Sequence, residues 1–234
     1  TKRLLKMGIA TMFIDHFTAR DQLGSTAGNQ FTVNIWSQFI DPFMALEYLS
    51  KNQKINIKKV GVTGGSRGGM VSILASEKRL RDALISKDLY FAASLPRSVE
   101  CRQSGYFRNP QPIPETKILM VNGKDDDASH AHVCEEYGEK MKANGADIEV
   151  MTKKGWGHGF EANYSAEFEA NEEAWHECPD YYTEDDGMAN KDAKIDASCI
   201  TYGYHIGGTR KTGAPSWKAF RSPFTKFFKK NLLN

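Results

Sequence analysis

Gly64-Gly65-Ser66-Arg67-Gly68 follows the apolar run Lys59-Val60-Gly61-Val62-Thr63 and precedes Met70-Val71-Ser72-Ile73-Leu74-Ala75. The order reads as strand, tight turn, helix. In that setting the pattern G-x-S-x-G acquires a physical meaning: a sharp turn pushes the Ser66 hydroxyl out over the sheet edge, and small flanking residues let strand and helix approach closely. Alone the pattern is a common glycine-rich turn. With these flanks Ser66 is a candidate nucleophile.

A serine hydroxyl is a weak nucleophile at neutral pH, so Ser66 needs a histidine to take its proton and a carboxylate to fix that histidine's tautomer. At sites built on this turn the partners follow in the order Ser, Asp or Glu, His. Of the six histidines, His158 has the right setting. It lies in Gly155-Trp156-Gly157-His158-Gly159-Phe160, directly after the alternating run Asp147-Ile148-Glu149-Val150-Met151-Thr152. His16, His130, His132, His176 and His205 lack that setting or come in the wrong order. For the acid, the apolar run Lys117-Ile118-Leu119-Met120-Val121 leads into Asn122-Gly123-Lys124-Asp125-Asp126-Asp127. One of the three aspartates is expected to orient His158 and the other two to be solvated turn residues.

These residues resemble the dienelactone hydrolase family, in its serine-nucleophile branch. The resemblance runs from Gly8 to about Phe160, with a weaker match at the C-terminal helix. It rests on Phe13-Ile14-Asp15-His16-Phe17-Thr18-Ala19-Arg20, the Ser66 turn, Asn122-Gly123-Lys124-Asp125-Asp126, and Gly157-His158-Gly159-Phe160. It implies an α/β-hydrolase fold, a mostly parallel sheet with helices on both faces. The family's aspartate stands three residues after the loop glycine, which corresponds to Asp126, with Asp125 as the runner-up. An arginine that holds a substrate carboxylate in some members corresponds to Arg20. A guanidinium offers a planar fork suited to that role, while the plainer reading is a surface arginine paired with Asp21. The backbone N–H of Arg67, the residue after the nucleophile, is expected to supply one oxyanion donor. The name-giving members carry cysteine where this chain has Ser66, so the resemblance is to their esterase-like relatives. The family also has a strand and loop ahead of the segment that starts here. Thr1 to Met7 reads as the end of the following helix, and the chain is expected to lack those first strands and the second oxyanion donor.

The 234 residues, 40% of them hydrophobic, suffice for one sizeable core, so residues 1–234 are expected to form a single domain. Strands are expected at 9–15, 59–63, 88–94, 117–122 and 147–152, and helices near 34–51, 67–79, 131–144 and 215–232. Pro42 places a helix restart there, with Asp41 as its cap. Phe220, Phe224, Phe227 and Phe228 make an aromatic stripe on the last helix, read as packing on the sheet rather than lying on a membrane surface. No apolar run reaches the ~18 residues that span a bilayer. Between Gly159 and Cys199 twelve acidic residues face only Lys191 and Lys194, against a net charge of +2 for the whole chain. This aperiodic stretch, residues 159–199, reads as a surface cap or rim beside the site. Asp185-Asp186-Gly187 lacks the ligand spacing of a calcium loop. The remaining basic residues are scattered without aromatic interleaving, which argues against nucleic acid as a partner.

Cys101, Cys134, Cys178 and Cys199 form no C-x-x-C pair, so no zinc site is expected. Cys178 and Cys199 bracket the acidic stretch and are expected to bridge; Cys101 and Cys134 could be the other pair, the sequence alone leaving the pairing open. An even, pairable count favours a periplasmic or secreted protein over a cytoplasmic one with free thiols. The expected function is cleavage of a small ester or lactone, with a carboxylate-bearing substrate if Arg20 plays its family role, and with no metal or organic cofactor. The competing reading is a binding module that keeps the fold without catalysis.

Overall fold

A computed structural model describes residues 2–22, 32–102, 106–162, 166–191, 197–208 and 217–234. At its centre four parallel strands lie in chain order: β1 (Gly61–Gly65), β2 (Ala93–Arg97), β4 (Lys117–Gly123) and β5 (Asp147–Lys153). The apolar run of β4 makes it a central strand, buried on both faces. Its alternate residues serve two cores. Ile118 and Met120 face α2 (Ile35–Ser50), α3 (Arg67–Leu74) and α5 (Ala131–Ala143) through Phe39, Val71, Leu74, Val133 and Tyr137. Leu119 and Val121 face α6 (Trp217–Leu232) through Phe220, Phe224 and Phe228. The short α1 (Lys2–Lys6) adds Leu4 to that second core. The aromatic stripe of α6 therefore packs on the sheet, and the helix continues through Pro223. No described helix is long and apolar enough to cross a membrane.

Several local expectations are corrected. Residues 9–15 form no strand, and Phe13 is 89% exposed. Its apolar, β-branched composition fits a strand, but composition cannot provide a neighbouring strand to pair with. The helix expected over 67–79 stops at Leu74, and α4 (Lys78–Leu84) starts anew behind Glu77, whose carboxylate accepts the Arg79 amide and the Arg79 guanidinium. The strand expected at 88–94 lies at 93–97. Asp41 caps nothing: α2 runs unbroken through Pro42, and its cap is Asn34, whose side chain accepts the Trp36 amide at 2.8 Å. The expected start of the last helix, 215–216, lies outside the described residues.

The acidic stretch is more ordered than its composition implies, although 163–165 and 192–196 lie outside the described residues. β6 (Glu167–Ala174) pairs antiparallel with β8 (Thr201–Ile206), and β7 (Tyr182–Thr183) pairs with β3 (Tyr106–Phe107). Arginines of the body hold its carboxylates: Arg102 on Asp180, Arg108 on Glu184 and Arg79 on Asp185, at 2.8 to 3.1 Å. Both disulfides are present, Cys101 to Cys134 and Cys178 to Cys199.

Candidate active site

A parallel sheet brings the carboxyl ends of β1, β4 and β5 to one edge, and each carries one side chain of the site. After β1, Ser66 has φ 52 and ψ −121. This is a strained left-handed conformation for a residue with a side chain. The turn is held by its surroundings: the Ser66 amide donates to the Arg97 carbonyl at 2.9 Å, and the Ser66 carbonyl accepts the Gly69 and Met70 amides. A Cβ on Gly64 would lie 2.2 Å from the Gly68 carbonyl oxygen. Glycine at position 64 is what permits the closeness of strand and helix.

The Ser66 hydroxyl lies 2.9 Å from His158 Nε2, and His158 Nδ1 lies 3.0 Å from Asp126 Oδ2. A carboxylate only accepts, so Nδ1 carries the proton and Nε2 is left to accept from serine. The other Asp126 oxygen accepts the Ala128 and Ser129 amides at 2.9 and 2.7 Å, which fixes the carboxylate in its buried position. Burial alone would lower the His158 pKa. The charge and hydrogen bond of Asp126, followed by the charges of Glu161 and Asp127, outweigh it and leave the imidazole above its ordinary value.

Neither neighbouring aspartate is an idle turn residue. Asp125 joins the two loops: its amide donates to the Trp156 carbonyl at 2.9 Å, and its Oδ2 accepts the Gly155 amide at 3.1 Å. Asp127 holds β8, accepting the His205 amide at 3.1 Å and facing His205 Nδ1 at 2.8 Å. Strand β8 touches His158 directly. The Tyr204 ring meets the imidazole edge to face at 5.3 Å, and Gly207 N–H, just past the strand, donates to the His158 carbonyl at 2.9 Å. From the other side the Ser98 hydroxyl accepts the Gly159 amide at 3.0 Å.

Arg67 opens α3, so its amide stands at the positive end of that helix. Its side chain turns away to Gln38 Oε1 and the Val33 carbonyl, and burial draws its pKa down to about 10. Arg20 has the chain's own carboxylate in its fork. Its Nη1 and Nη2 contact Asp41 Oδ2 and Oδ1 at 2.9 and 2.7 Å, and also donate to the His16 and Ser37 carbonyls. The partner is Asp41 rather than Asp21, and a substrate carboxylate would have to displace it. Arg20→Ala is accordingly expected to lower stability and to change KM equally for anionic and neutral esters of similar size. A selective rise in KM for the anionic ester would restore Arg20 to substrate binding.

Sequence reading missed Tyr204, Ser98, Arg97 and Glu161. Strand-like alternation in Thr201-Tyr202-Gly203-Tyr204-His205-Ile206 is the signal for Tyr204, and Glu161 stands three residues beyond His158. Ser98 and Arg97 give no local signal.

The parallel sheet, the strained serine turn and the late histidine loop define an α/β-hydrolase. The dienelactone hydrolase family matches residues 15–184, and the chain belongs to that family. No curated protein matches it. Among solved structures it is similar to MGS-M1, an α/β-hydrolase enzyme from a Medee basin deep-sea metagenome library, with 19% identity, a TM-score of 0.43, and coverage of 52% of this chain and 50% of that one. It is also similar to the thermophilic esterase Est2 of the planctomycete Thermogutta terrifontis, with 16% identity, a TM-score of 0.46, and coverage of 57% and 58%. For a variant of Arabidopsis thaliana SOBER1 the values are 15%, 0.41, and 55% and 58%. The matched region is thus 50% to 58% of the length of these structures.

Proposed function

We propose that the chain is a serine hydrolase that cleaves small carboxylic esters or lactones through an acyl-enzyme on Ser66. The observation that carries this reading is the continuous relay from Ser66 Oγ to His158 Nε2 at 2.9 Å and from His158 Nδ1 to Asp126 at 3.0 Å. Ser66 Oγ attacks the carbonyl carbon while its proton passes to His158 Nε2. The oxyanion that forms takes a hydrogen bond from the Arg67 amide. The C–O bond to the leaving group then breaks, and His158 returns its proton to the departing oxygen. Water, deprotonated by His158 in turn, attacks the acyl carbon. Collapse releases the acid and restores the Ser66 hydroxyl. No step calls on a cofactor.

His158 must be neutral to take the serine proton, and its pKa is raised in the folded chain. Activity is therefore expected to fall as pH drops through a midpoint above the ordinary histidine value of 6.5. A kcat/KM profile against pH reads this directly, and a midpoint at or below that value would contradict it. An active-site-directed organophosphonate tests the reading as a whole. Stoichiometric label on Ser66 is the expected result, and a folded, unlabelled protein would support the binding-module alternative.

In this reading residues 1–234 are one domain, and residues 159–199 with β8 form the rim of the site, supported by the contacts of Tyr204 and Gly207 with His158. Two disulfides favour an oxidising, extracytoplasmic location.

A further inference from the structure

Glu161 bends back over the turn that carries the nucleophile. Its Oε1 accepts from Arg97 Nε at 2.9 Å, and a Cβ on Gly65 would lie only 2.5 Å from the same oxygen. The carboxylate therefore fills the space that the side chain of the residue before Ser66 would occupy. Arg97 belongs to the same assembly, since its Nη1 donates to Thr63 Oγ1 at 2.6 Å and its carbonyl accepts the Ser66 amide at 2.9 Å. Both side chains of the pair are largely buried, at 16% and 18% exposure. Glu161 Oε2 is buried and has no hydrogen-bond partner among the described residues.

A buried carboxylate with one oxygen short of donors is costly, and although Arg97 pairs with its Oε1, the carboxylate still acts on groups near its free side. The nearby group whose charge changes in the reaction is His158. The charges that act on it are those of Asp126 and Asp127 from the loop after β4 and of Glu161; the Tyr204 ring of β8 lies against it with Glu172 at the Tyr204 hydroxyl, while Arg97 pairs with Glu161, His205 with Asp127, and the Arg67 side chain with Gln38. Asp126 supports the ring at Nδ1, while the serine proton arrives at Nε2, on the Ser66 side, where Glu161 is seated against Gly65. We infer that Glu161 is a positioning residue for acyl transfer: held against Gly65 by Arg97, its charge favours the imidazolium that His158 becomes as it takes the Ser66 proton. The catalytic half of this inference rests on the acyl-enzyme reading, whereas its electrostatic half does not. The direction agrees with the Glu161 charge raising the proton affinity of His158.

The test is Glu161→Gln in the full chain, read by NMR titration of the His158 ring and by the pH profile for p-nitrophenyl acetate. The His158 midpoint and the acid limb are expected to move together to lower pH, while kcat at the alkaline plateau falls about tenfold. Gly65→Ala provides an independent route, because its methyl displaces the flexible end of Glu161 without removing the charge, and it is expected to move the midpoint in the same direction. It also serves if the Gln variant does not fold. An unmoved His158 midpoint in the folded variants would reduce Glu161 to a structural partner of Arg97. Wild-type protein that neither turns over ester nor labels at Ser66 overturns the hydrolase reading and the catalytic half with it. A His158 midpoint that still falls in the Gln variant would then uphold the electrostatic half.

Discussion

Ser66→Ala and His158→Ala are each expected to lower kcat by roughly 10⁴ to 10⁶-fold, because nucleophile and base act as a unit and neither contributes without the other. The two differ in stability. Ser66→Ala removes one hydroxyl and should leave the unfolding transition in place. His158→Ala takes the imidazole from the buried Asp126 carboxylate and leaves the Ala128 and Ser129 amides to hold it, so a modest loss of stability should accompany the loss of turnover. Asp126→Asn is expected to cost somewhat less activity than either. Asp125→Asn should act on the junction to Gly155 and Trp156, so its effect belongs in the melting curve. If Asp125→Asn abolishes turnover while Asp126→Asn is mild, the assignment of the acid is wrong. Steady-state rates and thermal melts of the four variants decide between these outcomes.

Gly123→Ala is expected to be among the most damaging methyl additions at the described glycines. A Cβ there would lie 2.1 Å from the Trp156 carbonyl oxygen and 2.5 Å from its carbon. Both are backbone atoms, so no side chain can swing aside. The end of β4 and the histidine loop would have to part, at a cost of roughly 3 kcal/mol or more, a large share of the ~5–15 kcal/mol that holds a domain together. The Asp126 to His158 contact spans that same junction, so phosphonate labelling of Ser66 should slow along with the drop in melting temperature. Gly68→Ala is the control, since a Cβ there meets nothing within 4 Å. Equal melting temperatures for the two variants would refute the packing argument.

What could be read in the sequence was what is locally encoded. The strands that deliver the site residues are apolar or alternating runs that lead into glycine-containing loops, and a parallel sheet then brings those loops to one edge. The distances among Ser66, Asp126 and His158 follow from that arrangement. The choice of Asp126 over its neighbours came from the family resemblance, because three consecutive aspartates offer no local distinction. Only the fold reveals that Asp125 holds one loop to another and Asp127 holds a strand. The partner of Arg20 and the role of Asp41 are not local for a related reason. A neighbouring aspartate and a following proline invite local explanations, a pair with Asp21 and a helix cap, yet the two side chains find each other 21 positions apart. The run at 9–15 has a strand's composition, but a strand needs a neighbour, and composition says nothing about neighbours. Glu161 was hidden in a stretch whose many carboxylates look alike until one of them is seen against Gly65.

The pairing of the four cysteines has a consequence for how the protein is made. Four cysteines allow three pairings, and this chain uses the one in which each bridge joins consecutive cysteines, Cys101 to Cys134 and then Cys178 to Cys199. The two covalent rings are neither nested nor interlaced. A chain entering an oxidising compartment amino end first can close the first ring, which contains Asp126, before Cys178 has emerged. Oxidation in order of arrival would yield this connectivity, so for residues 1–234 expressed in an oxidising compartment a thiol oxidase without a disulfide isomerase is expected to be enough.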